Sequence, residues 1–307
     1  MPSIIVPARN NAEMTASCLG TILYSVNRLH LQCEFILVDD ASEESEGILT
    51  AFRQLRKDAT GHDVKIIRSR KHQHYSGVFS IGLQHATRQI VFFISNDMFV
   101  TPTFIESLLL VSALSPEIGC VRGTSNYTDS HREHRVEPKQ KPQSYQDVEN
   151  FSRNVFAAMG TRFVEDQVLS GDAILLKRSL IDCIGVLDLR FFGYFGDMDY
   201  GIRARHAGFK LVCAKGGWLF HEGSGHVKRD VVLHGLTMDA IWKERMALVE
   251  SAYQEFRKKW NIATPDSWGS GATVDPFRLL DQAKAHSHAV PLKYEFPDSV
   301  LNELEFH

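Results

Sequence analysis

Apolar and polar residues alternate along the first 121 residues in blocks that predict strands and helices in turn. Short apolar runs predict buried strands, and apolar residues spaced three and four apart predict helices. The predicted strands are residues 3–7, 34–38, 64–67, 90–94 and 118–121. The predicted helices are residues 12–27, a helix capped by Ser42 that runs to about Lys57, 77–86, and a helix from Pro102 to about Leu114. This alternation predicts an α/β fold with a doubly wound, mostly parallel sheet.

The second half of the chain has a less regular pattern. A polar segment from Arg122 to about Glu165 interrupts the alternation, with one predicted helix at residues 145–159. Core elements return at residues 168–176, 197–207, 211–214 and 218–220, and a long helix is predicted from about Asp230 to Trp260. The tail after Ile262 has weak periodicity, and we interpret it as an appendage. These shifts suggest a division into residues 1–121, 122–229 and 230–307.

Composition narrows the class of protein. The net charge of −3 and a pI near 6.5 predict no nucleic-acid partner. No apolar run approaches the roughly 20 residues that span a bilayer, and the N-terminus shows no secretion signal. Five cysteines without a CxxC spacing predict free core thiols rather than a zinc site. A cytoplasmic location is therefore expected.

Acidic residues follow two of the predicted buried strands. Asp39 and Asp40 come directly after the second strand, and Ser95, Asn96 and Asp97 come after the fourth. Ligands of open α/β sheets bind at the carboxyl ends of the strands, so these acids are expected to share one crevice. Asp97 could instead only initiate the turn before Pro102.

The loop after the first strand points to the same crevice. It reads Pro7-Ala8-Arg9-Asn10, and its backbone amides and Arg9 could hold a base or a phosphate. The alternative is a polar turn in which Asn10 or Asn11 caps the next helix. The chain has no GxGxxG and no Walker lysine motif, so dinucleotide and P-loop sites are not predicted.

Together these motifs resemble the N-terminal half of family 2 glycosyltransferases of the bacterial type. The second half of the chain also resembles the family in three places. The family's acceptor-side strand resembles Leu169-Ser170-Gly171-Asp172, and the start of its catalytic helix resembles residues 188–207. A histidine that is frequent at a strand end in the family is matched by His221 in Phe220-His221-Glu222. Ser125-Asn126-Tyr127 is also typical. The resemblance spans about residues 3 to 260. It implies a GT-A fold with an acceptor-side subregion and a C-terminal helical extension, and an enzyme that uses nucleotide-sugar donors.

The resemblance implies a donor site in the first half of the chain, residues 1–121. The implied donor-binding residues are Pro7, Ala8, Arg9, Asn10, Asp39, Asp40, Arg68, Asn96 and Asp97. A diphosphate leaving group gains negative charge as the sugar bond breaks, and Mn²⁺ or Mg²⁺ can neutralise it. Asp97 and His221 are the implied metal ligands, and an imidazole ligand would favour Mn²⁺. His221 could also be a strand-end histidine bonded only to backbone.

The second half, residues 122–229, would then bind the acceptor and supply the base. Family 2 members invert the anomeric centre, and Asp197 is the candidate base that deprotonates the acceptor hydroxyl. Its position at a helix N-terminus predicts a low pKa. Gly171, Asp172 and Asp199 are the candidate acceptor-binding residues. Asp199 could also cap the helix or pair with Arg203 at i,i+4, and this structural role is favoured.

Two departures from the family pattern bear on activity. Ser95 stands where the first acid of the metal motif is usual, and Gly196 stands where an acid usually precedes the catalytic aspartate.

The expected function is metal-assisted, inverting transfer of a hexosyl or N-acetylhexosaminyl group from a UDP-sugar to a hydroxyl of a glycan or glycoconjugate, as in polysaccharide biosynthesis. The alternatives are a weakly active or inactive binding or assembly subunit, and a sugar-phosphate nucleotidyltransferase. The C-terminal helix and tail could support a homodimer or peripheral docking near a membrane-bound pathway at the inner face of the membrane.

Overall fold

A single large sheet organises the computed structural model, which describes residues 1–128, 131–223, 233, 235, 237–268, 276–284 and 290–307. Ten strands have the order β10-β3-β2-β1-β4-β8-β6-β9-β5, and β7 pairs with β9 off this path. β3, β2, β1 and β4 are parallel to one another, β8 is antiparallel to both β4 and β6, and β6 is parallel to β9. The predicted α/β class with a mostly parallel sheet is confirmed.

The strands and helices begin and end as follows. The strands are β1 Ser3–Ala8, β2 Glu34–Asp40, β3 Asp63–Ser69, β4 Ile90–Ile94, β5 Met98–Phe99, β6 Ile118–Ser125, β7 Phe163–Asp166, β8 Ala173–Lys177, β9 Lys210–His221 and β10 Leu304–Phe306. The α-helices are α1 Ala12–Arg28, α2 Ile48–Asp58, α3 His74–His85, α4 Pro102–Ala113, α5 Tyr145–Met159, α6 Arg178–Ile184, α7 Gly196–His206, α8 Met238–Trp260, α9 Pro276–Lys284 and α10 Asp298–Leu301. Short 3₁₀ turns lie at Glu44–Glu46, Arg132–His134 and Leu189–Phe191.

Side chains on the two faces of the sheet build two separate cores. In β2, Phe35 and Leu37 pack into the core that contains α1 and α2, and Ile36 and Val38 pack into the core that contains α3. Successive residues of a strand point to opposite faces, so a run that is apolar at every position is buried on both. The continuous apolar runs read from the sequence therefore mark strands that are covered by helices on both faces.

Several predicted elements differ from the structure. Ser42 does not cap a helix: α2 begins after Gly47, and Ser42 accepts a hydrogen bond from the Asn10 backbone N–H instead. Residues 168–172 form a loop before β8, and the two strands predicted at 211–214 and 218–220 are one strand, β9. The predicted start of the long helix at Asp230 lies outside the described residues.

The described parts of the tail after Ile262 pack against the rest of the protein, whereas the sequence predicted an appendage. β10 pairs antiparallel with β3 and so covers that edge of the sheet, with Glu305 opposite Arg68. Leu279 and Leu280 of α9 are buried together with α8 side chains. The tail's periodicity is weak because its pieces are short and each packs in a different place.

All five cysteines are free, as predicted, and four of them are buried, but Cys183 is exposed. None of the described helices is both long and apolar enough to cross a membrane.

Candidate active site

The carboxyl ends of β1, β2 and β3 lie side by side and form one end of the candidate site. The register aligns Ala8 with Asp39 and Asp39 with Arg68, so the acid is flanked by the first loop and by the arginine. The Arg68 Nη1 atom is 3.6 Å from Asp39 Oδ2, and Arg68 Nη2 donates to the Ser42 carbonyl at 2.9 Å. The structure thus brings Arg68 and Asp39, two of the residues implied as donor-binding, next to each other.

Asp39 is a fully buried acid with one oxygen that has no hydrogen-bond donor among the described residues. Its Oδ1 accepts from the Ser42 N–H at 3.0 Å, whereas Oδ2 accepts no hydrogen bond. Burial raises the pKa of this carboxyl above its usual value, against the opposing effect of the Ser42 hydrogen bond. A buried oxygen without a donor is costly, so this atom is suited to a ligand that brings one.

Asp40, Arg9 and Asn10 hold the neighbouring loops in place. Asp40 accepts from the Gln73 N–H at 2.6 Å, and its Oδ2 lies 2.7 Å from His72 Nδ1. Arg9 Nη1 donates to the carbonyl of Asp40 at 2.8 Å, and the fully buried Asn10 accepts from the Glu43 N–H at 2.9 Å. The helix cap is Asn11, not Asn10. These side chains therefore shape the crevice through hydrogen bonds to the protein itself.

A carboxylate and an imidazole meet at the other end of the crevice. β5 pairs antiparallel with the end of β9, with Met98 opposite His221, and this pairing brings Asp97 Oδ2 to 3.1 Å from His221 Nε2. Both side chains are 12% exposed. The sequence predicted this pair as metal ligands, and the structure places them together although 124 positions separate them along the chain.

The residues around this pair fix its orientation. Asn126 accepts from the His221 N–H at 2.6 Å and donates to the His221 carbonyl at 2.9 Å. Asp172 Oδ2 lies 4.0 Å from His221 Nδ1, on the far side of the ring from Asp97. The Ser95 N–H donates to the Asp172 carbonyl at 2.8 Å, which holds the two loops together. Asn96 donates to Thr15 Oγ1 at 2.9 Å, so this amide serves the turn rather than the crevice.

Asp197 opens helix α7, but its pKa is not low as predicted from the helix dipole. Burial raises its pKa to about 6, and the neighbouring Asp172 charge adds to the rise. Its Oδ1 accepts from the Met198 N–H at 2.9 Å, and its Oδ2 accepts from the Gly171 N–H at 3.3 Å. These hydrogen bonds lower the pKa by less than burial raises it. The carboxyl is thus ionised at neutral pH and is a stronger base than an exposed aspartate.

Asp199 is fully buried, and this position favours the structural role over acceptor binding. It pairs with Arg203 Nε at 2.9 Å, which confirms the predicted i,i+4 contact. It also contacts Lys259 Nζ at 2.5 Å and accepts from Trp260 Nε1 at 2.9 Å. These two residues belong to α8, so Asp199 fastens the C-terminal helix to α7, the helix that carries Asp197.

Two residues of α3 that the sequence did not single out also shape the site. The Tyr75 hydroxyl donates to the Gly171 carbonyl at 2.9 Å and so holds the loop that contacts Asp197. Ser76 Oγ lies 2.3 Å from where a side chain at Gly196 would begin. A side chain at position 196 would therefore require Ser76 to move, and the departure of Gly196 from the implied family pattern was the available signal.

A second set of titratable side chains lies apart from this crevice. His131, His134 and Asp166 are buried with ligand-type atoms within 4.8 Å of one another. Arg122 Nη1 is 3.2 Å from His131 Nδ1, and Lys215 Nζ is 3.0 Å from His134 Nδ1. Because both cations can only donate, each ring carries its proton on Nε2 and has no lone pair there for a metal. His134 Nε2 instead bonds to Asp166 at 2.6 Å, so the set is a structural network.

Solved structures with a similar fold include two glycosyltransferases. One is the mannosyltransferase PcManGT from Pyrobaculum calidifontis in complex with GDP-Man and Mn²⁺, with a TM-score of 0.56 and 16% identity over 94% of this chain and 70% of that chain. Another is GalNAc-T7 with UDP, GalNAc and Mn²⁺, with a TM-score of 0.54 and 16% identity over 72% of this chain and 43% of that chain. At this identity the likeness shows the fold alone.

Sequence comparisons give the family. Uncharacterized proteins of Mycobacterium tuberculosis and Mycobacterium bovis are 24% identical over 119 residues, which is 34% of this chain and 46% of theirs. The matched region is thus less than half the length of these relatives. The family model named Glycosyl transferase family 2 matches residues 3–185, which is more than half of the chain. The chain therefore belongs to glycosyl transferase family 2, and it has the GT-A fold.

Proposed function

We propose that this chain transfers a sugar from a nucleoside-diphosphate donor, UDP-linked, to a hydroxyl of a glycan or glycoconjugate, with inversion and with the aid of a divalent cation. The observation that carries the proposal is the 3.1 Å contact between Asp97 Oδ2 and His221 Nε2 at the edge of the crevice that holds Asp39. In this proposal residues 1–121 bind the donor, residues 122–229 bind the acceptor, and residues 230–307 form a helix and tail that support the catalytic helix.

The Asp97 and His221 pair fits a divalent cation. A carboxylate oxygen with an imidazole nitrogen suits Mn²⁺ better than Mg²⁺, which prefers oxygen ligands alone. Asp172 Oδ2 lies 4.0 Å from the opposite nitrogen of His221, which is too far for a hydrogen bond, but its charge favours a proton on that nitrogen and so leaves Nε2 for a metal. Because Ser95 offers no carboxylate, the remaining ligands would come from the donor diphosphate and water. When bound, the cation would neutralise charge on the leaving diphosphate.

Asp39 supports nucleoside recognition. Its buried Oδ2 accepts no hydrogen bond from the described residues, and it lies between the first loop and Arg68. A uracil N3–H or a ribose hydroxyl would supply the missing donor. A ligand without such a group would leave this buried oxygen unbonded, and that is the kind of mismatch that discriminates strongly between ligands. The hydrogen bonds of Arg9, Asn10 and Asp40 to the same loops would keep the crevice preformed.

Asp197 is the proposed base. In an inverting transfer it would accept the proton of the acceptor hydroxyl while that oxygen bonds to the anomeric carbon and the diphosphate leaves with the bonding electron pair. A pKa of about 6 suits this task, because the group is ionised at neutral pH yet holds a proton well once the hydroxyl becomes acidic. Gly171 and Met198 donate to its two oxygens and fix their direction, and Asp172 is the proposed contact for the acceptor hydroxyl.

The structural neighbours support the donor class without choosing the nucleotide. PcManGT is described with GDP-Man and Mn²⁺, and GalNAc-T7 with UDP, GalNAc and Mn²⁺. The decisive experiment is a thermal-shift titration with UDP, GDP and their sugar conjugates, each with and without Mn²⁺. A nucleotide at a hundredfold excess over its Kd should stabilise the protein by about 2.7 kcal/mol.

Two aspartate variants test whether the Mn²⁺-dependent part of the shift depends on Asp97. Asp97→Ala should lose the Mn²⁺-dependent part of the shift, and Asp182→Ala, which changes an exposed acid on α6, should keep it. If no nucleotide shifts the wild-type protein with or without Mn²⁺, the proposed donor site is wrong.

The two alternatives predict different assay results. An inactive binding subunit would bind a nucleotide sugar but release no nucleotide when incubated with it and Mn²⁺. A nucleotidyltransferase would consume a nucleoside triphosphate with a sugar phosphate. We expect no consumption, because Arg9 is the single cation of the first loop and its Nη1 already donates to two carbonyls.

A further inference from the structure

A cavity adjoins the proposed metal site formed by Asp97 and His221. It has a volume of about 470 Å³, and it lies between the chain that follows β6 and the end of β9, with His221 in its wall. Its other lining side chains include Tyr127, Arg135, Glu137, Lys141 and Glu222. Because β6 and β9 are at the opposite end of the sheet from β3 and β2, this cavity is across the proposed metal site from the proposed nucleoside crevice.

The wall of the cavity is held by several independent contacts. Asn126 makes two hydrogen bonds to the His221 backbone. The Val136 N–H donates to the Ser125 carbonyl at 2.8 Å, and Trp218 Nε1 donates to the Val136 carbonyl at 2.8 Å. The buried network of His131, His134 and Asp166 anchors the chain between these two points. A preformed wall reduces the entropy lost on binding, which is typical of a ligand site.

Among the residues that the structure describes, the charged side chains lining the cavity balance one another. Arg135 pairs with Glu137 at 2.7 Å, and Lys141 lies 3.8 Å from Glu222, so the two cations are matched by two carboxylates. A phosphate or carboxylate ligand would gain no net attraction, because each cation is already paired with a carboxylate, and a purely apolar ligand would leave these charged groups desolvated. A ligand with many hydroxyl groups avoids both costs, because each hydroxyl can donate to a carboxylate and accept from a cation.

The Tyr127 side chain provides the remaining contact. Tyr127 is 43% exposed, with Arg135 5.7 Å from the centre of its ring, whereas Phe220 is buried and its ring lies beneath Lys141. The C–H face of a pyranose ring can pack on the exposed part of the Tyr127 ring through dispersion while its hydroxyls reach the charged side chains. We infer that this cavity binds a neutral saccharide unit, which, given the proposed transferase function, is a part of the glycan acceptor away from the reacting hydroxyl.

Saturation-transfer NMR on the full chain tests this inference. The probes are methyl α-mannopyranoside, methyl β-glucopyranoside and methyl β-N-acetylglucosaminide, with methyl β-glucuronide as the anionic comparator. The wild-type protein should bind at least one neutral glycoside more tightly than the glucuronide. Tyr127→Ala should weaken that binding about tenfold, which corresponds to about 1.4 kcal/mol, whereas Tyr127→Trp should retain it.

Tyr24→Ala is the matched control, because Tyr24 is 40% exposed on α1 and does not line the cavity. Thermal unfolding of each variant establishes that it is folded. Absence of glycoside binding, equal binding by Tyr127→Ala, or preference for the glucuronide would each overturn the inference. A nucleotide and Mn²⁺ titration on the same samples separates the two proposals: a nucleotide shift without glycoside binding rejects only the saccharide site, and glycoside binding without any nucleotide shift rejects the donor proposal.

Discussion

Acidification should remove activity through Asp197 before it unfolds the protein. With a pKa of about 6, the carboxyl is mostly ionised at pH 7.5, and about one-tenth of it is ionised at pH 5. The kcat/KM for sugar transfer should therefore fall about tenfold between these pH values, with an apparent pKa near 6. The measurement is nucleotide release across pH 5–8 with Mn²⁺, and thermal unfolding at each pH confirms that the protein stays folded.

The position of this pH limb should respond to Asp172. The Asp172 charge helps to raise the Asp197 pKa, so Asp172→Asn should move the limb toward lower pH, whatever its effect on the maximal rate. Asp182→Ala, on the exposed face of α6, should leave the limb in place. A profile that stays flat from pH 5 to 8, or full activity in a folded Asp197→Asn protein, would refute the assignment of the base.

The same pKa predicts the stability of Asp197→Asn. A rise from 3.8 to about 6 costs the folded protein about 3 kcal/mol once the group is ionised, at 1.36 kcal/mol per pKa unit. Because the folded pKa lies above the unfolded one, this group favours folding below pH 4, and that contribution is lost as the pH rises past 6. Asp197→Asn should therefore be inactive but more stable than the wild type at pH 8, by up to about 3 kcal/mol, with no such gain at pH 4. Urea unfolding at both pH values measures this, and a variant that is less stable at pH 8 contradicts it.

Three further substitutions test the site and its support. Asp97→Ala should abolish Mn²⁺-dependent nucleotide release in a folded protein, and unchanged release would exclude it as a ligand. Gly196→Ala should destabilise the protein by about 1–3 kcal/mol, because the new Cβ would meet Ser76 Oγ at 2.3 Å. Adding Ser76→Ala should recover most of this loss, measured by urea unfolding. If the double variant is no more stable, the loss has another cause. Lys259→Met should cost about 3–5 kcal/mol, because it leaves the buried Asp188 and Asp199 each with one cation fewer, and a smaller loss would mean that Arg190 and Arg203 compensate these charges.

The sequence predicted the central strands of the sheet well because these strands have apolar side chains on both faces. An apolar run such as Ile90–Ile94 cannot face water on either side, so its burial follows from the residues alone. The tail could not be predicted in this way. β10 is three residues long, and its place beside β3 depends on an edge that exists only once the sheet has formed.

The candidate site likewise has features that the sequence predicted and features that depend on the tertiary structure. The order of acids after strands located the crevice, since the ends of parallel strands share one edge whatever the connections between them. The motif also named Asp97 and His221, but their contact depends on the antiparallel pairing of β5 with β9. Spacing along the chain carries no information about such a pairing.

The sequence by itself determined the fold class, the family and the residue types available for chemistry, because these follow from local patterns of polarity and from ordered motifs. Tertiary structure alone decided what each acid can do. Asp197 and Asp199 are two positions apart on one helix, yet one faces the crevice loop with a raised pKa and the other is buried between Arg203 and Lys259. The reason is physical: the protonation and the partners of a carboxyl depend on the solvent and charges around it, and distant parts of the chain supply those surroundings.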